Sequence, residues 1–268
     1  MLTLTTLASG SSGNCTLLSD GTTHVLVDAG ISCRRICAGL RDLGIEPAAL
    51  SGILITHEHT DHIAGLATLT KRCPIPVYAS PGTGRQLCYR IAAMEDQLHT
   101  CRPGASFSVG ALEVETFPLS HDAAETMGFA VSSGGQKAAV VTDLGIVTPQ
   151  VEAAIAGAAL LLVEANHDAD WLECGPYPYS LKQRILGDRG HLSNEAGALL
   201  ARRAAEQGAR TILLAHLSRE NNTPQRARSA AESCLLSGGI SPGRDVLLDV
   251  PPRSEPGRTY SVGEGGRC

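Results

Sequence analysis

The chain has 268 residues, a formal net charge of −5, 43% hydrophobic and 18% charged residues, and only 3% aromatics. This is the balance of an ordinary soluble globule, one large domain whose core must be built from Ala, Leu, Val and Ile. No apolar run is long enough for a membrane helix, and the first residues lack the basic and apolar regions of a signal peptide, so a cytoplasmic protein with no membrane partner is expected.

Nine cysteines is an odd number with no CxxC pair. Cys15, Cys73 and Cys234 sit among apolar neighbours, which favours reduced core thiols over a disulfide framework. Cys33 and Cys37 lie one helical turn apart beside Arg34 and Arg35, and a redox role there carries little weight. Charge is uneven along the chain: residues 181–230 carry nine Lys/Arg against four acids, so that segment is +5 and the rest −10. An anionic partner would account for this, but so would helices with solvated charged faces.

Taken in order, Leu2 to Ala8 reads as a strand, followed by a Gly/Ser loop, Ser9 to Asn14. The loop is either a tight turn or a nest of backbone N–H groups for a phosphate oxygen. Strands follow at Cys15–Ser19 and His24–Val27, joined at Asp20-Gly21, and Asp28-Ala-Gly30 closes the second. A helix is expected over Ser32–Leu43. The apolar run Gly52–Ile55 then reads as a buried strand and leads into His57-Glu-His59-Thr-Asp61-His62. Four metal-capable side chains within six residues, all nitrogen and oxygen donors, suit zinc, manganese or iron.

Beyond this, Pro74–Tyr78 is an expected strand, Pro81–Met94 a helix, and His99 and Cys101 lie in a connecting stretch. Hairpins are expected at 107–117, leading to His121, and at 127–142, leading to Asp143. An isolated histidine after a strand is ordinarily a surface residue, and a strand-end aspartate can be a helix N-cap. A helix over 147–156 precedes a buried strand, Ala158–Val163, which ends at Glu164. His191 opens a stretch capped by Ser193 or Asn194 before a helix to Gln207. The last strong strand, Thr211–Ala215, ends at His216. Val246–Val250 could add an edge strand before a Pro/Gly-rich tail, expected to be flexible over 251–268.

The HxHxDH run and the series that follows it resemble the metallo-β-lactamase-fold hydrolases. The resemblance spans roughly residues 1–250. It implies a single-domain α/β (α+β) four-layer αββα sandwich. It also implies two divalent ions, Mn or Zn, with His57, His59 and His121 at one and Asp61, His62 and His216 at the other. Asp143 would bridge them and Asp28 would orient a ligand from behind. A water shared by such ions becomes a hydroxide nucleophile near neutral pH.

Several branches of the family fit poorly. The di-iron oxygen reductases carry a glutamate where His59 stands, the glyoxalase II type adds a helical tail, and the large processing nucleases insert a domain between the positions of Asp143 and His216. In the tRNA 3′-processing members a Glu and a His similar to Glu164 and His191 protonate the leaving oxygen. The alternatives are a surface carboxylate and a helix-capping histidine.

The strings Ala8–Asn14, Thr56–His62, Gly175–Ile185, Gly190–Asn194 and His216–Asn222 together resemble the small bacterial WalJ (YycJ) group. That resemblance implies a 5′-to-3′ exonuclease on DNA, with Asp61, Glu164 and His191 as its catalytic residues. Ser11, Asn14, Tyr177, Tyr179, Lys182, Arg184, Arg219 and Asn222 are candidate substrate contacts. Trp171, Tyr177 and Tyr179 could stack on bases, or simply cover a loop on the core. A small-molecule phosphodiesterase or other ester hydrolase on the same scaffold is the alternative enzyme. A nucleic-acid-binding protein with one structural metal is the alternative outside enzymes.

Overall fold

The computed structural model describes residues 1–262. The first sheet contains β1 (Thr3–Gly10), β2 (Gly13–Ser19), β3 (His24–Val27), β4 (Leu50–Leu54), β5 (Val77–Ala79) and β6 (Leu98–Thr100), with β14 (Thr259–Ser261) on the outer edge of β1. The second runs β7 (Ser106–Val109), β8 (Leu112–Pro118), β9 (Met127–Ser133), β10 (Gln136–Val141), β11 (Leu160–Glu164), β12 (Thr211–Ala215) and β13 (Leu247–Asp249), in that spatial order. The antiparallel pairs are β14–β1, β1–β2 and β2–β3 in the first sheet and β7–β8, β8–β9 and β9–β10 in the second. The remaining neighbours pair in parallel.

Period-two alternation explains the layering, because both faces of each sheet are covered. In β3, Val25 and Val27 point into a core between the sheets while Leu26 points outward. In β12, Leu213 and Ala215 face that same inter-sheet core, and Ile212 and Leu214 face outward.

The outward faces are closed by helices. Buried side chains of α1 (Cys33–Asp42), α3 (Leu66–Arg72) and α4 (Pro81–Arg90) cover the first sheet; those of α5 (Pro149–Ile155), α8 (Asn194–Glu206) and α9 (Pro224–Ser237) cover the second. The result is an αββα sandwich, as the resemblance implied. The short α2 (Thr60–Ile63) belongs to the site, and α6 (Ala169–Cys174) and α7 (Tyr179–Leu186) lie between β11 and α8. Among the described residues no helix is long and apolar enough to cross a membrane.

Some local expectations need correction. The Gly/Ser stretch is a tight hairpin, since β1 runs to Gly10 and β2 resumes at Gly13. Three of its N–H groups are already used: Ser9 N donates to Arg253 O at 3.2 Å, Gly10 N to Asn14 Oδ1 at 3.1 Å and Ser11 N to Leu217 O at 3.5 Å. His99 lies in β6, an edge strand of three residues, and not in a connection. The helix expected to reach Met94 stops at Arg90, and the chain turns at Ala93 with φ of 60°. In the tail, Tyr260 and Val262 are buried, Gly257 N donates to Thr6 O, and β14 pairs with β1. Residues 263–268 lie outside the described residues. The eight described cysteines are all free.

Candidate metal centre

The C-terminal ends of β3, β4, β8, β10, β11 and β12 converge where the two sheets meet. Met127 N donates to Thr56 O and ties the sheets together at that point. Loops at carboxyl ends of parallel strands are the ordinary place for a site in such sheets. Here they deliver Asp28, the 57–62 run, His121, Asp143, Glu164 and His216.

The backbone is strained where it does so. Among the described residues, four non-glycine positions have positive φ, and three of them are Asp28 (63°), Asp143 (66°) and His216 (55°). Each side chain turns back over the strand end, an arrangement that persists only when the surroundings enforce it.

Hydrogen bonds fix which ring nitrogen faces inward. Asp28 accepts from Thr56 N at 2.9 Å, from the Thr56 hydroxyl at 2.9 Å, and from His62 Nδ1 at 2.7 Å. With its proton committed to Asp28, the Thr56 oxygen accepts from His57 Nδ1 at 3.0 Å. His121 Nδ1 donates to Gly190 O at 3.0 Å, and His216 Nδ1 to Glu164 Oε1 at 2.7 Å. All four rings thus turn Nε2 toward the centre.

There the distances are short. His57 Nε2 lies 2.9 Å and His121 Nε2 3.3 Å from His59 Nδ1. Asp61 Oδ2 lies 3.4 Å from both His62 Nε2 and His216 Nε2. Asp143 stands between the two groups, Oδ2 at 3.3 Å from His62 Nε2 and Oδ1 at 3.5 Å from His216 Nε2 and 3.8 Å from His121 Nε2.

These donors fit metal ions. His57, His59 and His121 form one set with ligand atoms within 4.8 Å of one another, and Asp61, His62 and His216 form another. Asp143 Oδ2 is buried without a hydrogen-bond partner, an orphaned acceptor that a cation would satisfy. Burial holds the His57 and His121 imidazoles below their usual range, so both are neutral ligands at neutral pH. Burial would also lower His216, but Asp143 and the hydrogen bonds from its ring to Asp61 and Glu164 push it up to about 10. Against the same burial, Asp143 and Asp28 raise His62. Without ions these two rings hold protons, which divalent ions would displace on binding.

Glu164 is fully buried behind the centre. It accepts from His216 Nδ1, from His191 Nδ1 at 2.9 Å, from Leu192 N at 2.8 Å, and from Asp143 N and Leu144 N at 3.3 Å. Burial alone would raise its carboxyl, but the charges and ring hydrogen bonds of His191 and His216 hold it far below the usual range. His191 is pushed down by burial and up, with the larger net effect, by Glu164 and Asp143. Its ring is 21% exposed and faces a cavity of about 270 Å³ beside the cluster.

Of the candidate substrate contacts, Ser11, Tyr177 and Arg184 line that cavity, with Asn166 and Ser218. Arg184 pairs with Asp122 on its rim. Tyr179 is 76% exposed at the start of α7 and does not line the cavity. Lys182 Nζ is bound to Glu173 O at 2.7 Å. Trp171 stacks under the Arg226 guanidinium at 4.3 Å; no ring contact joins it to either tyrosine among the described residues.

Two asparagines prove to be scaffold. The buried Asn222 amide donates to Ala165 O, Asn166 O and Asn194 Oδ1, so it has nothing left for a substrate. Asn14 is buried and reaches His62 Nε2 at 3.2 Å and Asp61 O at 3.5 Å.

Sequence reasoning missed Glu58, within the HxHxDH run itself. Its buried carboxylate accepts from Ala124 N at 2.9 Å and Thr83 Oγ1 at 3.3 Å, anchoring the loop that carries His121. It also missed Gly30, whose role appears only in three dimensions: a Cβ there would lie 1.7 Å from Asp61 O and 2.7 Å from Asn14 N. Gly30→Ala is expected to cost about 3 kcal/mol in denaturant unfolding and to lower the metal content of the purified protein.

The sandwich and its strand-end cluster define the class, a metal-dependent hydrolase. Residues 23–217 match the Beta-lactamase superfamily domain, and the chain belongs to that superfamily. Over 249 residues it is 38% identical to a Bacillus anthracis protein named exodeoxyribonuclease YycJ, across 92% of this chain and 94% of that one. It is 36% identical over 250 residues to a Streptococcus pneumoniae protein named exodeoxyribonuclease WalJ, across 92% and 93% of the two chains. The crystal structure of the metallo-β-lactamase-fold protein YhfI from Bacillus subtilis superposes with a TM-score of 0.73 at 16% identity, covering 97% of this chain and 100% of that one.

Proposed function

We propose that this protein is a two-metal DNA exonuclease that removes nucleotides from 5′ ends, with manganese or zinc as its ions. The observation that carries the reading is the position of His191. It stands between the ligand cluster and a cavity of about 270 Å³, with Nδ1 tied to a buried glutamate and the other face of its ring open to the cavity. That is the posture of a general acid beside a hydrolytic centre. Kinship with proteins named exodeoxyribonucleases supports the choice of DNA.

In this reading His57, His59 and His121 would hold one ion, Asp61, His62 and His216 the other, and Asp143 would serve both. Ions held there would supply a water nucleophile at neutral pH and neutralise charge developing on the phosphoryl oxygens. Asp61, 26% exposed and 3.4 Å from His216 Nε2, is the more exposed of the two carboxylates in the cluster. His191 donates a proton to the departing oxygen, and Glu164 keeps that proton available. Ser11 and Ser218 offer hydroxyls to the phosphate, and Arg184 offers a cation at the rim.

Tyr177, which lines the cavity, is the residue placed to stack on a terminal base; Tyr179 is not. Tyr177→Ala is therefore expected to raise KM for an oligonucleotide roughly tenfold, read from initial rates. Equal kinetics would remove the stacking role.

The cavity volume also suits a small phosphodiester, and one assay separates the two readings. The protein, loaded with manganese, is incubated with a linear duplex labelled at either end, beside Asp61→Ala. Stepwise loss from 5′ ends that disappears in the variant is the expected result. Hydrolysis of bis(p-nitrophenyl) phosphate without any loss of DNA would overturn it in favour of the small substrate.

A further inference from the structure

Several arginines of the C-terminal half are neutralised: Arg184 pairs with Asp122, Arg226 with Asp168, Arg203 with Glu152, and Arg228 with Asp249. Two without a carboxylate partner meet at the loop that carries Ser218. Arg219 is exposed and makes no hydrogen bond or ion pair among the described residues. Arg253 forms no ion pair either, and its Nε is buried without a partner.

Both belong to one patch. Gly10 bridges to Leu217, so the β1–β2 hairpin and the loop after His216 lie side by side. Arg253 is laid across this junction from the C-terminal segment. Its carbonyl accepts from Ser9 N at 3.2 Å, its stem packs on Gly10, and its Nη2 donates to Asn222 O at 2.8 Å. Glycine at position 10 lets that stem lie close, since a Cβ there would sit in tight contact, 3.2 Å from Arg253 Cβ and Cγ. The segment itself is anchored, with Arg35 donating to Ser254 O and Gly257 N to Thr6 O. The guanidinium is thus held in place before any ligand arrives.

Such an arrangement has a cost unless an anion relieves it. Burial first, and then the neighbouring charge of Arg219, push the Arg253 pKa down. Ser11 and Ser218, on the same hairpin and the same loop, line the cavity that contains His191. The patch is therefore the outer lip of the proposed active site.

Resting on the proposed function, we infer that Arg219 and Arg253 form a second phosphate subsite, which grips a backbone phosphodiester of the strand outside the cavity. A guanidinium pair suits this ligand because a phosphate accepts in bidentate fashion and bears the charge both lack. The inference gives the C-terminal segment a role in binding, and it makes the enzyme's preference for a polymer over a lone phosphodiester a property of this lip.

The test compares Arg219→Ala, Arg253→Met and the double variant with wild type. Methionine keeps an unbranched stem over Gly10, and thermal melting checks the fold. Two substrates are used, a labelled 20-mer oligonucleotide and bis(p-nitrophenyl) phosphate, which has a single phosphate and nothing beyond the cavity. Each single variant should lower kcat/KM on the oligonucleotide roughly tenfold more than on the chromogenic ester, through KM. The slope of log affinity against log salt, from fluorescence anisotropy in EDTA, should become shallower by roughly 0.7–0.9 per residue removed.

Equal losses on both substrates, or an unchanged salt slope, would overturn the inference while leaving the exonuclease reading in place. A wild type that hydrolyses the ester but neither binds nor cuts the oligonucleotide would overturn both.

Discussion

Asp143→Asn is expected to abolish the activity while leaving the chain folded, and its metal content should drop from two ions per chain to one or none. The position makes asparagine an unusually clean probe. Asp143 has φ of 66°, and asparagine tolerates this left-handed region far better than alanine does. The change therefore removes charge without asking the backbone to move. What it removes is a buried carboxylate with one oxygen 3.3 Å from His62 Nε2 and the other 3.5 Å from His216 Nε2. Losing the shared anion should cost several kcal/mol of transition-state stabilisation, roughly 10³-fold or more in kcat. Metal analysis, circular dichroism and kcat on the labelled duplex together check it. A folded variant that retains two ions and more than a tenth of the rate would show that Asp143 does not bridge.

How much of this centre could be read along the chain depended on sequence distance. The 57–62 run was legible by itself, because four donors follow one strand within a single turn and a short helix. His121, Asp143 and His216 were legible only through their place in a familiar series, for each is a lone polar residue after an apolar strand. The backbone strain at Asp143 and His216, which marks both plainly in space, leaves no trace in residue type at a position where aspartate or histidine would be ordinary. Asn222 was misjudged for a related reason. A polar residue in a run that resembles a functional motif looks like a contact, yet its amide is consumed in tying β11 to α8 and α9.

The helices between β11 and α8 were too short for periodicity to show. α9 did carry a signal, Thr223 capping Arg226 N with Pro224 behind it. Arg253 was beyond reach, since nothing in a Pro/Gly-rich tail announces that it folds back on Gly10. Between a binding loop and a tight turn at 9–14, the structure has the turn.

Glu164→Gln is expected to lower kcat by ~10²–10⁴-fold and to shift the alkaline limb of the pH–rate profile to lower pH. The carboxylate lies at 0% exposure and receives five donors, two rings and three backbone N–H groups. A glutamine would turn an N–H₂ group toward some of them, leaving donors facing a donor inside the protein. Removing one partner of such a buried network should destabilise the fold by ~3–5 kcal/mol.

The direction of the pH effect follows from His191. Its folded pKa is raised above the ordinary histidine value, with Glu164 the first-ranked charge opposing burial. The imidazolium therefore contributes stability that is fully present below the unfolded pKa of about 6.5 and is lost as pH rises through the folded value. The same direction of shift favours the protonated form that the proposed acid needs. Take away the carboxylate, and burial pulls the ring down, so the acid loses its proton earlier.

Glu164 also orients His216, so some of the loss should come from weaker metal binding, about 10–100-fold in affinity, and excess metal should restore that part. Activity regained at saturating metal with the alkaline limb still displaced would identify Glu164 as the residue that positions and charges His191. Full recovery of both with metal alone would reduce Glu164 to a support for the metal ligand and leave the departing oxygen without the acid proposed for it.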